Sequence, residues 1–296
     1  MNSRLILALV ALMAALLALF SLVPALDLGV AGYFHDATGF PLAANPVISA
    51  LRTVFWDATI VVPVLALGFL AVGLLLRRPI LGIAPRLAGY VLALFLLGPG
   101  LLVNGILKAH WGRARPMNVV DFGGGAQFTP AWTITDQCAK NCSFVSGEGA
   151  GTMALTITCL LILALWRDRM SVPLYRLGQG GALAMLAFVG FQRVASGGHF
   201  LSDVVLSWCL VALIAAVLAP LLPRPLGLAG LFAIAAAATL SDLLFVGEFL
   251  LPVSLALLAG LTVGNFARRA AWLVLACAWA GGVLGWLAAG ALHHQP

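Results

Sequence analysis

Three short polar stretches interrupt a chain in which 62% of residues are hydrophobic and only 9% charged. In "RVASGGHFLSD", five residues separate Arg193 from His199, and three separate His199 from Asp203. A His and an Asp four apart share a helix face. A carboxylate held against one imidazole nitrogen fixes the tautomer and leaves the other free as base or nucleophile. In "KAHWGRARP", six residues separate Lys108 from Arg115, and Pro116 follows. "VSGE" brings Ser146, Gly147 and Glu148 to the start of an apolar run.

Lys108, Arg115 and Arg193 are three cations with few acids near them in sequence. Arginine forks match phosphate oxygens and lysine adds a point charge. Ser146 and Gly147 at a helix start would add backbone N–H donors and a favourable dipole. Phosphoryl transfer to His199, oriented by Asp203, is the chemistry this set could perform. The cations could do the charge work of a metal, so no cofactor or metal is expected; His199 and His110 lack a third good ligand nearby. Glu148 is the open question. Desolvation would keep its proton on and suit it to general acid work, whereas the neighbouring cations would take the proton off. It could instead pair with Arg113 or Arg115 and have no proton role.

The elements that position these residues must be membrane helices. So few charges exclude an ordinary soluble domain, and the absence of period-2 alternation argues against a barrel. Nine candidate spans are expected, near 5–25, 59–76, 87–107, 149–166, 180–195, 201–222, 226–243, 249–265 and 271–291. The first run lacks a clear cleavage site and is read as a retained helix. With the N-terminus in the cytoplasm, ten of the 16 basic residues fall on the cytoplasmic side and six opposite. That bias supports this orientation, and it makes the net charge of +6 a topology signal, not a nucleic-acid patch. All three polar stretches then meet at the outer face, beside long loops 26–58 and 108–148. Residues 1–222 are expected to form the core and 223–296 a C-terminal transmembrane extension.

Five cysteines are present. Cys159, Cys209 and Cys277 lie in apolar runs as packing residues. Cys138 and Cys142 share a polar loop, where a disulfide is favoured over a metal pair because no partner His or Cys accompanies them. Trp111 reads as an interface anchor. His35 and Asp36, in the aromatic loop "GYFHDATGFPL", read as solvated; that loop could cap a site or rest on headgroups.

The motifs resemble the type-2 phosphatidic acid phosphatase superfamily, whose pattern is Lys-x6-Arg-Pro, Pro-Ser-Gly-His and Ser-Arg-x5-His-x3-Asp. Lys108, Arg115 and Pro116 match the first element. Arg193, His199 and Asp203 match the third, with Gln192 in place of the usual Ser. In the middle element Val145 replaces Pro and Glu148 replaces His. The aromatic loop weakly resembles a segment before the core in lipid A phosphatases. The resemblance implies an all-α polytopic transmembrane bundle, with a six-helix phosphatase core here followed by about three extra helices. It also implies His199 as nucleophile, Asp203 as its partner, and Glu148 at the position of the leaving-group acid. Lys108, Arg115, Ser146, Gly147 and Arg193 would bind the phosphate. The expectation is a multi-pass lipid phosphatase of a bacterial inner membrane, its site facing the periplasm. A lipid A phosphate leads the candidate substrates, followed by undecaprenyl pyrophosphate and phosphatidylglycerophosphate. Hydrolysis, phosphoryl transfer to another lipid, and binding without turnover are separate outcomes.

Overall fold

A computed structural model describes residues 3–222, and they are all-helical apart from loops and isolated bridges. Seven helices follow in order among them: α1 (Ser3–Leu22), α2 (Ala25–Tyr33), α3 (Pro46–Leu75), α4 (Pro85–His110), α5 (Gly147–Leu165), α6 (Val172–Ala195) and α7 (Leu201–Leu218). All but the short α2 are long and apolar enough to cross a membrane. They correspond to the first six expected spans. The expected spans 226–243, 249–265 and 271–291, and with them the C-terminal extension, lie outside the described residues.

Two spans begin earlier than hydropathy suggested. The second starts at Pro46, not near 59, so much of the expected outer loop is helix. Asn45 caps it by accepting hydrogen bonds from the N–H groups of Val47 and Ile48 at 3.0 and 3.1 Å, and Pro46 suits the first turn. Arg52 and Asp57 broke the apolar run but not the helix. The fifth starts at Val172, not near 180, because Tyr175, Arg176, Gln179 and three glycines dilute its hydropathy without ending it.

α5 is the central helix, packing on α3, α4, α6 and α7. Its small residues allow the close approach that drives helix association in lipid. A Cβ on Gly149 would lie 2.6 Å from Ser207 Oγ of α7, and one on Gly151 would lie 3.1 Å from Thr59 of α3. α4 widens into a π-helical stretch over Leu96–Leu107 around Pro99, which has no N–H to give an α-turn. Asn104 Nδ2 donates to the Pro99 carbonyl oxygen at 2.7 Å within this stretch. The α4 end, the α5 start, the α6 end and the α7 start all meet at one end of the bundle. The basic residues Arg77, Arg78, Arg167 and Arg169 lie beyond the opposite helix ends, and Arg86 lies in the first turn of α4.

Candidate active site

The expected cluster assembles where those four helix ends meet. α6 ends at Ala195, and a turn through Ser196, Gly197 and Gly198 carries the chain to His199. The N–H groups of Gly198 and His199 both donate to the Arg193 carbonyl oxygen, at 3.1 and 3.0 Å. Gly197 has a φ of +65°, and Phe40 packs where its side chain would be. The aromatic loop therefore walls the turn instead of standing in solvent. His35 is part of that wall, its ring 5.2 Å from Phe40 and 5.1 Å from Phe122. Asp36 is exposed and binds Thr38.

His199 is almost wholly buried, and its Nδ1 lies 3.8 Å from Asp203 Oδ2. Ser143 Oγ lies between them, donating to Asp203 Oδ2 at 2.5 Å and standing 3.4 Å from His199 Nδ1. Because the hydroxyl hydrogen is committed to the carboxylate, the compatible imidazole tautomer carries its proton on Nδ1. That tautomer leaves the Nε2 lone pair free. Burial, with Arg193 and Lys108 adding to it, pushes His199 down to about 3 from an ordinary 6.5, although Asp203 pulls it back up. The ring is neutral at physiological pH.

Asp203 also accepts from the Phe200 N–H at 3.0 Å, which closes the first turn of α7. Its other oxygen, Oδ1, accepts from Arg113 Nη1 at 2.6 Å. Arg113 is fully buried. It donates from Nη2 to Asp27 at 2.8 Å, from Nη1 to Ser202 Oγ at 2.9 Å and from Nε to the Thr129 carbonyl at 2.9 Å, with Phe200 4.4 Å from its guanidinium carbon. Asp27 in turn accepts from the N–H and hydroxyl of Ser202, at 2.9 and 2.5 Å. Burial pushes the Asp27 carboxyl up, against the pull of Arg113. Asp27, Ser143 and Ser202 were not singled out from sequence, and Arg113 was weighed there only as a loop cation that could pair with Glu148. A lone Asp just after the first apolar run was the only available signal.

The three expected cations converge beside His199. Lys108 Nζ donates to Asn141 Oδ1 at 3.0 Å, and Arg115 donates from Nε and Nη2 to the Asn141 carbonyl at 3.2 and 3.0 Å. Asn141, with a φ of +53°, lies inside the loop closed by the Cys138–Cys142 disulfide. Lys108 Nζ also packs on Gly147, where a Cβ would come within 3.5 Å of it. The Arg193 guanidinium covers Gly198, filling the place of a side chain there, and its buried Nε has no hydrogen-bond partner among the described residues. Ser146 caps α5 by accepting from the Gly149 N–H at 3.1 Å, and its own N–H donates to the Asp203 carbonyl at 3.0 Å. The α5 backbone donors left open are therefore those of Gly147 and Glu148.

Glu148 pairs with neither Arg113 nor Arg115. Arg52 of α3 grips it, donating from Nε to Oε2 at 2.8 Å and from Nη2 to Oε1 at 2.6 Å; Arg193 Nη1 stands 3.6 Å from Oε1. Arg52 replaces the partners expected from sequence because α3 extends to the site end of the bundle, and Arg193 joins it from the end of α6. Trp111, partly buried, stacks on Phe144 at 4.5 Å and donates to the Ala131 carbonyl at 2.8 Å.

Next to Arg52, an apolar crevice of about 860 Å³ runs between α3, α4, α5 and α6, lined by Leu51, Phe55, Leu87, Leu155, Met185 and Phe188 among others. It lies between the second and fifth spans.

Comparison with known proteins agrees with this architecture. The PAP2 superfamily model matches residues 87–225. The chain is 35% identical over 209 residues to the lipid A 4'-phosphatase of Rhizobium leguminosarum, covering 66% of this chain and 86% of that protein. It is 33% identical over 190 residues to the lipid A 4'-phosphatase of Francisella tularensis subsp. novicida, covering 63% of this chain and 81% of the relative. The Rhizobium etli protein of the same name is 33% identical over 209 residues, covering 66% and 78%. No solved structure gave a significant match. The extent of these alignments, together with the helical bundle, makes the chain a member of the PAP2 superfamily.

Proposed function

We propose that this protein is a membrane-embedded lipid phosphatase that releases phosphate from a lipid headgroup through His199, with a lipid A phosphate as its substrate. The observation that carries the reading is the neutral, buried His199 beside Lys108, Arg115 and Arg193. The names of the relatives support the substrate. The bias of basic residues toward the other end of the bundle supports a site on the periplasmic face of a bacterial inner membrane. The acyl chains would occupy the crevice beside Arg52, and residues 1–222 would carry the whole site.

In the first step the Nε2 lone pair of His199 attacks phosphorus and the bond from phosphorus to the lipid oxygen breaks, its electron pair leaving on that oxygen. Water at this end of the bundle protonates the departing oxygen. The phosphorylated ring carries a positive charge, which Asp203 and the Ser143 hydroxyl oxygen stabilise through the Nδ1–H. In the second step water attacks phosphorus, the N–P bond breaks, and neutral His199, inorganic phosphate and a proton result. That proton balances the hydroxide left by the first step. Lys108, Arg115, Arg193 and the Gly147 N–H hold the phosphoryl oxygens throughout, the preorganised electrostatics on which such transfers depend.

The test is inorganic phosphate release by the full chain in detergent with EDTA present. Lipid A, undecaprenyl pyrophosphate, phosphatidylglycerophosphate and phosphatidic acid would be offered. Release from lipid A, lost by about 10³-fold or more in His199→Ala, is expected for a residue that forms the covalent intermediate. Release unchanged in that variant would overturn the mechanism, and release from another lipid alone would overturn the substrate.

A further inference from the structure

We propose that Arg52 is a positioning residue of the phosphate site that acts by neutralising Glu148, and that Glu148 is an ionised partner of Arg52 and not a proton donor. The proposal rests on the reading of this cluster as a phosphate site. Arg52 belongs to none of the three motifs and reaches the site from α3, 96 positions away from Glu148 in sequence. It engages both carboxylate oxygens of Glu148, through Nε and Nη2, in the planar two-bond geometry that favours an ionised carboxylate. Glu148 is only 13% exposed, and Arg193 Nη1 lies 3.6 Å from the oxygen that Arg52 Nη2 holds at 2.6 Å.

That competition defines the function of Arg52. A bare carboxylate among phosphate-binding cations would repel the substrate and capture the nearest guanidinium, which is Arg193. With Arg52 in place, Glu148 is already neutralised through both of its oxygens. Arg193 then stays over Gly198, next to His199, with its Nε open. Asp203 is similarly compensated by Arg113. The phosphate therefore meets Lys108, Arg115 and Arg193 without an uncompensated carboxylate facing it. A carboxylate held as an anion by two guanidinium groups has no proton to give a leaving oxygen.

The test is binding of inorganic phosphate to the purified full chain, measured by calorimetry in detergent, so that turnover is not needed. Arg52→Ala is expected to weaken binding about tenfold or more, the cost of facing the ligand with a like charge. Glu148→Ala should bind at least as tightly as the unaltered protein, and Arg52→Ala/Glu148→Ala should return to within about threefold of it. A merely structural role would give losses that add up in the double variant. The proposal is overturned if Arg52→Ala binds normally, or if the double variant is as weak as Arg52→Ala. Unaltered protein that binds no phosphate would sink the phosphate-site reading, and this proposal with it. Where lipid turnover is measured, Glu148→Ala should leave the ratio of alkyl to aryl phosphate monoester rates unchanged. A loss confined to the poorer alkyl leaving group would mark Glu148 as the acid and overturn its assignment as an ionised partner of Arg52.

Discussion

Arg113 and Asp203 form an ion pair with Nη1 and Oδ1 2.6 Å apart, both side chains wholly excluded from solvent. Asp27 completes the arrangement on the other arm of the guanidinium. Arg113→Ala would strand two buried carboxylates, a change that costs about 3–5 kcal/mol when one partner of a buried pair is removed. Thermal unfolding in detergent should show this as a large drop. Asp27→Asn should be milder, because the amide oxygen can still accept from Arg113 and the Ser202 hydroxyl, with only the Ser202 N–H losing its acceptor.

Ser143→Ala removes the hydroxyl between His199 and Asp203 while leaving both in place. The imidazole loses its nearest oriented partner and Asp203 loses a hydrogen bond, roughly 1–3 kcal/mol for an unsatisfied buried group. Phosphate release should fall about tenfold to a hundredfold in kcat, with little change in KM. A fall in KM-weighted binding alone would contradict the place given to Ser143.

The pH dependence follows from His199. Its folded value of about 3 lies below the 6.5 of an unperturbed imidazole, so between those values the unfolded chain binds more protons than the folded one. This contribution to stability is present in full above 6.5 and is lost as pH falls from 6.5 towards 3. The unfolding midpoint of the unaltered protein should drop relative to that of His199→Asn across that window, and the gap should be constant from pH 7 to 8. In the free enzyme the acid limb of kcat/KM should not show a fall at 6.5, since His199 is already neutral there.

The Cys138–Cys142 disulfide closes a short loop around Asn141, whose side chain and carbonyl hold Lys108 and Arg115. Replacing both cysteines with Ser should cost about 2 kcal/mol by the entropy of closing so short a loop. Phosphate affinity should weaken several-fold more than that of a control substitution such as Lys140→Ala in the same loop. Calorimetry with inorganic phosphate measures both.

Much of the site was legible because its parts are locally spaced. His199 and Asp203 share one turn of chain, and the Lys108–Arg115 and Arg193–His199 intervals each lie within a single helix end and its following loop. The partners of the charges were not legible. Glu148 had Arg113 and Arg115 as its expected partners, yet it meets Arg52 and Arg193. Arg113 looked like a loop cation, yet it bridges Asp27 and Asp203 over 86 and 90 positions. Polar residues near the ends of α3 and α6 hid those ends from hydropathy, which is why Arg52 was placed in a loop.

The sequence by itself determined that the chain is a bundle of apolar helices, roughly where its first six spans fall, and which polar stretches gather at one end of it. Apolar run length and short-range spacing are local properties, and in lipid the backbone has no alternative to the helix. Only the tertiary structure decided which charge neutralises which, because that depends on where the ends of α2, α3, α5 and α7 meet. No periodicity along one helix records the position of another helix's end.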